Sequence, residues 1–440
     1  MEWEKLLNSN RLKGGRRPEA PSRPNYIQDY DRVVFSEPFR RLANKTQVHP
    51  LYEHDHLHHR LIHSIETSSV GRSLANQVEH QLLSSEVEFD RRFSGRINGA
   101  VQAACVAHDI GNPPFGHSGE DAIGNWFGDA FADKNLFEGW SELDERKKLE
   151  FERFEGNAQG FRILTRTDMY REDGGMRLSF ATLGAFVKYP FRASETEKPK
   201  YGIFEGDWEL FEEVAQSVGL KKSYASVNGK MVERYVRHPL VYLVEAADDI
   251  SYNIVDLEDA HTSGDLSFDK VKDLLEALIG KEMPRREHQS DAEFIAYLRA
   301  MAIGEAVEAC SNAFMQSYQN LMSGSFEHSD LVAASSVAGQ ISKIKKISRE
   351  ELFTSPRKTS LEITGRNTLR KILSAVAPVY QCLREKKWNA DSLDGYERQV
   401  WKACGLDLRA VSNEYEALHS LADFVSGMTD RYAMKIANQF

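Results

Sequence analysis

The sequence predicts an all-α protein: a helical bundle with further helices toward the C-terminus and one small loop or strand insertion near residues 190–235. Two observations support this. Apolar residues recur at helical spacing along most of the 440 residues. In "RINGAVQAACVAHDIG", Ile97, Val101, Ala104 and His108 fall four, three and four apart, one stripe on one helix. Candidate strands are confined to "KYGIF" and "GKMVERYV", both within 190–235. Helices dominate, and no repeat or low-complexity tract competes with that reading.

The elements follow in order. Residues 1–28 form an arm whose "GGRRPEAPSRP" is irregular and would gain order by docking. From Asp29 the pattern is helical, and Pro38 divides it into two short helices or one broken one. "HLHHRLIHSIETSSVGRSLANQVEHQLL" is one long helix with Leu61, Ile65, Leu74 and Val78 on a common face. The helix ending in His108 is stopped by Gly111 and Pro113. "EDAIGNWFGDAF" opens another, and the charged residues 129–153 read as a surface excursion. "FEGNAQGFRILT" and "HPLVYLVEAADDISYNIVDLEDAH" are helical again. Several more helices are expected beyond 266, two of them separated by the basic stretch "ISKIKKISREELFTSPRKTS".

Composition narrows the class. Hydrophobic residues make up 41%, enough for a large core at this length. The net charge of −10 does not favour nucleic acid as the main ligand, although it leaves a local basic patch open. The four cysteines are far apart and form no CxxC pair, which fits reduced thiols in a cytoplasmic protein. No apolar run reaches the ~18 residues of a membrane span, and the N-terminus has no hydrophobic signal core.

The chemistry concentrates in "AHDIGNPPFGHSGEDAI". His108 and Asp109 sit at the buried end of a helix, where an unpaired carboxylate is costly. A divalent metal satisfies both residue types. Two adjacent residues cannot complete a site, so other ligands must come from elsewhere. One source is "HDHLHHRLIHS", where only His63 is flanked by apolar residues on both sides. His54, His56, His58 and His59 lie in the polar cluster before it. The other source is "EAADDISYNIVDLEDA", which carries Asp248 and Asp249 inside an apolar helix. Each of these residues alone is ordinary. Three segments that each place ligand types in an apolar helix are not.

These blocks resemble a known family. The order histidine, His-Asp doublet and distant Asp is that of HD-domain metal phosphohydrolases. "FRRLANKTQV", "RLIHSIETSSVGRSL", "AHDIGNPPFGHSGEDAI", "FEGNAQGFRIL" and "EAADDISYNIVDLEDA" are similar to bacterial deoxyguanosine-triphosphate triphosphohydrolases, over residues 15–265. The resemblance implies an HD core over 29–265, with insertions near 126–153 and 190–235. It leaves 266–440 as a helical region that completes the nucleotide site and the oligomer contacts. It implies His63, His108, Asp109 and Asp248 as ligands of a divalent metal (Mn, Mg, Fe or Co), and His117 and Glu120 as an acid–base pair. It also implies that Gln47, Val48, Arg60, Tyr252, Asp256, Lys188 and Lys200 hold the substrate. Asn112 agrees with the bacterial branch of the family, and Asp249 matches no ligand position. The implied reaction cleaves a dNTP at its α-phosphorus to a deoxynucleoside and tripolyphosphate. The resemblance further implies a homo-oligomer, often a hexamer, with regulation by dNTPs or single-stranded DNA.

The spacing accommodates that chemistry. Arg60 precedes His63 by three residues, so one helix can present both. The Pro-Pro-Phe-Gly turn lifts His117 away from the preceding helix and could put its imidazole opposite the metal, where Glu120 would fix its tautomer and raise its pKa. Tyr252 and Asp256 lie about 40° and 80° round the helix from Asp248. Asp256 could therefore accept from a 3′-hydroxyl while Tyr252 crowds the 2′ side. The alternatives are another HD phosphohydrolase, such as a 5′-nucleotidase or (p)ppGpp hydrolase, and a non-catalytic nucleotide- or nucleic-acid-binding HD protein.

Overall fold

The computed structural model describes residues 1–14, 23–45, 59–87, 89–133, 143–171, 174–352 and 356–440. Among these lie twenty α-helices and one two-stranded sheet, as the all-α expectation requires. In the first half they are α1 (Trp3–Leu6), α2 (Asn25–Val34), α3 (Glu37–Arg41), α4 (Arg60–Ser84), α5 (Arg96–Ala107), α6 (His117–Ala132), α7 (Glu145–Glu152), α8 (Gly156–Arg162), α9 (Phe180–Phe186) and α10 (Trp208–Ser217). The hairpin β1 (Lys222–Val227) and β2 (Lys230–Tyr235) follows. Then come α11 (Val241–Thr262), α12 (Phe268–Ile279), α13 (Asp291–Gln316), α14 (Tyr318–Ser323), α15 (Leu331–Ala334), α16 (Ala338–Ile347), α17 (Pro356–Glu385), α18 (Gly395–Cys404), α19 (Glu414–Ser426) and α20 (Asp430–Ala437).

Two apolar cores organise these helices. The first joins α1, α2, α4, α5, α9 and the helices from α11 to α16. Its centre is α4 packed on α5, α11 and α13. The second joins α6 and α7 to α17, α18, α19 and α20. Ile110 belongs to the first core and Phe115 to the second, so the Gly-Pro-Pro break is where the chain crosses between them. The crossing positions the site, because α5 ends on one side and α6 starts on the other.

Local signals explain several boundaries. Ser36 accepts from Phe39 N–H at 3.3 Å and starts α3, with Pro38 in its first turn, so the broken segment is two helices. The arm is docked over its first 14 residues: Trp3, Leu6, Leu7 and Leu12 are buried in the first core. No helix among the described residues is long and apolar enough to cross a membrane. All four cysteines are free thiols, three of them buried.

Three expectations need correction. "KYGIF" is irregular backbone, with Tyr201, Ile203 and Phe204 buried between elements; the strand pairing "GKMVERYV" is Lys222–Val227. The signal for it is Asn228-Gly229, both at positive φ, the turn that joins the two strands. The basic stretch after 340 is not a plain separator, because α16 runs through it and buries Ile341 and Ile344. The charged segment 129–153 is not wholly a surface excursion, since α7 buries Glu150 and Phe151 in the second core.

Glu150 is fully buried and accepts from Tyr415 O–H at 2.5 Å and Glu205 N–H at 2.6 Å. Burial pushes its pKa up to about 8, and these hydrogen bonds only partly oppose the shift. From about pH 4.5 to about pH 8 the folded chain therefore holds a proton that the unfolded chain has released. Stability contributed by this group falls as pH rises through that window and levels off above it. Glu150→Gln is expected to flatten the fall. The check is urea unfolding of both proteins at pH 5, 7 and 9, and parallel curves would refute the assignment.

Candidate metal and phosphoryl-transfer site

Three helices deliver the central group: His63 from α4, His108 from the end of α5 and Asp248 from α11. One ligand atom from each falls within 4.8 Å of the others. His63 Nε2 is 3.0 Å from Asp248 Oδ1, and His108 Nε2 is 3.4 Å from the same oxygen. The two imidazoles meet edge to face, with centroids 5.1 Å apart. His108 Nδ1 lies 2.8 Å from the Cys105 carbonyl, which can only accept, so Nδ1 carries the proton in the neutral ring. The lone pair of Nε2 is then aimed at carboxylates, and this buried atom has no hydrogen-bond partner. Acceptors facing acceptors inside a protein call for a cation, and His₂Asp suits a divalent metal with some affinity for nitrogen.

Burial opposes a proton on His108, but the adjacent Asp109 and Asp248 charges outweigh it and raise its pKa to about 9. Asp248 is held well below the usual carboxylate range, because the nearby imidazoles outweigh the cost of its burial. The group as folded thus carries negative charge that a metal or a proton must balance.

The fourth expected ligand, Asp109, stands beside this group. Its Oδ1 is 3.5 Å from His108 Nε2 and accepts from the Asn112 side chain. Its Oδ2 accepts from Arg60 Nη1 at 2.8 Å. Burial acts against the charge of Asp109, yet Arg60 keeps its pKa below the usual value. Asn112 was passed over as a functional residue in the sequence, although it lies inside the same motif. Asp249 turns away to an ion pair with Lys345 at 3.0 Å.

On the far side of the loop, α6 begins at His117. His117 faces solvent, yet the protein around it withdraws enough water to lower its pKa. Glu120 raises it, as expected, but by less. Glu120 does not take its hydrogen bonds from His117. Its Oε1 accepts from Gly156 N–H at 2.9 Å and its Oε2 from Lys200 Nζ at 3.2 Å. Lys200 also pairs with Glu155 at 3.0 Å, a buried carboxylate no sequence signal had singled out. Burial and the neighbouring Glu120 push the Glu155 pKa up to about 7.

The other expected contacts surround this centre. The Tyr252 ring lies 6.3 Å from the His63 ring, and Asp256 is buried further along α11. Lys188 pairs with Glu245 of α11 at 3.0 Å. Gln47, Val48, His54, His56 and His58 lie outside the described residues. A cavity of about 800 Å³ opens elsewhere, between α3, α8 and α19, but its cations are already engaged, with Arg162 on Asp423 and Arg171 on Asp407.

An all-α body whose helices converge on a partly buried His-His-Asp group, flanked by carboxylates and cations, is a frame that could hold a metal ion. Comparison with known proteins narrows it. The chain is 38% identical to a deoxyguanosinetriphosphate triphosphohydrolase-like protein of Pseudomonas aeruginosa, over 100% of this chain and 98% of the relative. A protein of the same description from Synechocystis is 36% identical over 100% and 99%. A deoxyguanosinetriphosphate triphosphohydrolase of Yersinia pestis is 29% identical over 93% and 92%. No family model matches the chain. The chain belongs to the deoxyguanosinetriphosphate triphosphohydrolase-like family and is a hydrolase.

Asp248 supplies the oxygen nearest both imidazoles, so Asp248→Asn is expected to lose the divalent metal that the wild type retains after dialysis. The loss should exceed the ~10–100-fold seen when only an outer partner of a metal site is removed. Elemental analysis of the two purified proteins is the check, and equal metal content would remove Asp248 from the ligand set.

Proposed function

We propose that this chain is a divalent-metal-dependent dNTP triphosphohydrolase, splitting a dNTP at the α-phosphorus into deoxynucleoside and tripolyphosphate. The observation that supports it most is the meeting of one ligand atom each from His63, His108 and Asp248 within 4.8 Å of one another, beside Arg60 and Asp109. The printed descriptions of the relatives favour the same substrate class.

On this reading His63, His108, Asp109 and Asp248 would hold the cation, which when bound supplies Lewis acidity toward a phosphoryl oxygen and a lowered pKa for water. Everything else falls to side chains of the HD-type site. His117 has a lowered pKa and is neutral at pH 7, so its imidazole can accept a proton as water attacks. Glu120, fixed by Gly156 N–H, offsets the positive charge that then develops on the ring. Lys188 and Lys200 have raised pKa values, because neighbouring carboxylates outweigh their burial. They are therefore fully charged and suited to the β- and γ-phosphates. Arg60 keeps its charge beside Asp109 and faces the α-phosphate. Asp256 accepts from the 3′-hydroxyl, Tyr252 crowds the 2′ position, and Gln47 and Val48 complete the nucleotide contacts.

Incubation with each dNTP and Mn, followed by ion-exchange separation, tests the reading. Tripolyphosphate is the expected product; inorganic phosphate would favour a nucleotidase, and no turnover a binding protein. His117→Ala is expected to lower kcat by about 10²–10⁴, the range for a general acid–base group, with metal content and dNTP affinity unchanged. Near-normal turnover in that variant would remove His117 from the chemistry.

A further inference from the structure

The turn that presents His117 is held by the far end of the chain. Phe115 has φ +64 and Gly116 φ +59, so a bulky residue occupies the left-handed region immediately before the glycine that precedes His117. Such a conformation persists only where its surroundings over-determine it. Here they do so from two directions. The Phe115 N–H donates to Asp430 Oδ1 at 3.0 Å, a contact between residues 315 positions apart. The Phe115 ring packs against Gly365 of α17, so closely that a Cβ there would fall 2.6 Å from the ring. Asp430 is 1% exposed and opens α20, and its charge is felt by both Arg60 and Lys45.

A second strap lies one loop residue group away. The buried Lys45 ammonium donates to the Asn112 carbonyl at 2.6 Å and to the Ser426 carbonyl at 2.8 Å. Ser426 ends α19, and Asp430 begins α20. The short turn between these helices thus grips the Asn112–Phe115 segment at both ends.

We infer that Asp430 is a positioning residue for His117, acting through the Phe115 N–H, and that the α19–α20 turn sets the geometry of the loop joining metal group to acid–base group. This rests on the reading of His117 as the acid–base residue. Asp430 touches no reacting atom. Its contribution is to keep the turn in the one conformation that presents His117 at the start of α6.

The test compares Asp430→Ala, Asp430→Asn and Gly365→Ala. A misplacement of about 1 Å in a catalytic group costs up to about 100-fold, so Asp430→Ala is expected to lower kcat by about 10–100-fold with KM and metal content unchanged. Asp430→Asn keeps an acceptor oxygen without the charge and is expected to recover most of that loss. Gly365→Ala suits a helix better than glycine but pushes on the Phe115 ring, so it should fold and lower kcat in the same way. An independent arm needs no turnover: the rate at which diethylpyrocarbonate modifies His117, read by peptide mass. It should change in the two alanine variants and return toward wild type in Asp430→Asn. Unchanged kcat and unchanged His117 reactivity in Asp430→Ala would overturn the inference. So would an Asn variant as impaired as the Ala variant, or a loss carried by KM or metal content. If the wild type releases no tripolyphosphate, the functional reading fails, while the reactivity arm still decides whether Asp430 positions His117.

Discussion

The site depends on a contact between two stretches of bare backbone. Gly111 lies against Gly156 and Gly160 at the start of α8 so closely that a Cβ on it would fall 2.1 Å from Gly156 O and Gly160 N. A Cβ on Gly156 would in turn meet the Asn112 and Glu120 side chains at 2.5 and 2.7 Å. A side chain on Gly111 would have to move a backbone segment, which a packed interior resists. The approach lets one short region serve three tasks. Asn112 reaches back to Asp109, Glu120 bonds the first N–H of α8, and the chain passes from the first core to the second. The Gly-Pro-Pro break and the glycines of "FEGNAQG" are two halves of one packing requirement.

Around that contact the charges alternate. His63, Asp248, His108, Asp109 and Arg60 form a chain of neighbours, with each carboxylate between two nitrogen groups. Lys200 sits between Glu120 and Glu155, and Lys188 against Glu245. Among the described residues, Arg60, Lys188 and Lys200 each have a carboxylate partner, which avoids the penalty of a buried unpaired charge. On the proposed reading, a triphosphate would compete with these carboxylates for the same ammonium groups. Net attraction is then modest, and geometry rather than bulk charge selects the ligand. That is compatible with a chain whose overall charge is −10.

How much of this could be read beforehand depended on the range of the interaction. The long helices were legible because apolar stripes such as Ile97, Val101 and Ala104 record a local period. The three segments that meet at His63, His108 and Asp248 were legible because each places ligand types in an apolar helix, whereas the choice of Asp248 over Asp249 came from the family resemblance. The hairpin was half legible: its second strand was recognised, but the Asn228-Gly229 turn that fixes its partner was overlooked. Tyr201, Ile203 and Phe204 misled as a strand, because a loop wedged between two cores buries apolar residues without any period. The pairing of Lys200 with Glu155 left no mark in the sequence, since it joins residues 45 positions apart whose types are common on any surface.

The same argument accounts for the weak sequence signature of the C-terminal region. Its grip on the site runs largely through backbone atoms. Lys45 is held by the carbonyl of Ser426, which any residue at that position would supply. Asp430 receives the N–H of Phe115, which would be there whatever the side chain. Contacts of this kind constrain where the chain goes far more than which residues compose it. The exceptions are positions where a side chain must be the partner, as in the Asp423 carboxylate that takes both Gln159 and Arg162 of α8. A region can therefore carry the geometry of a site while showing no motif, and the side chains by which it reaches across, Asp423 and Asp430, are isolated positions rather than a block.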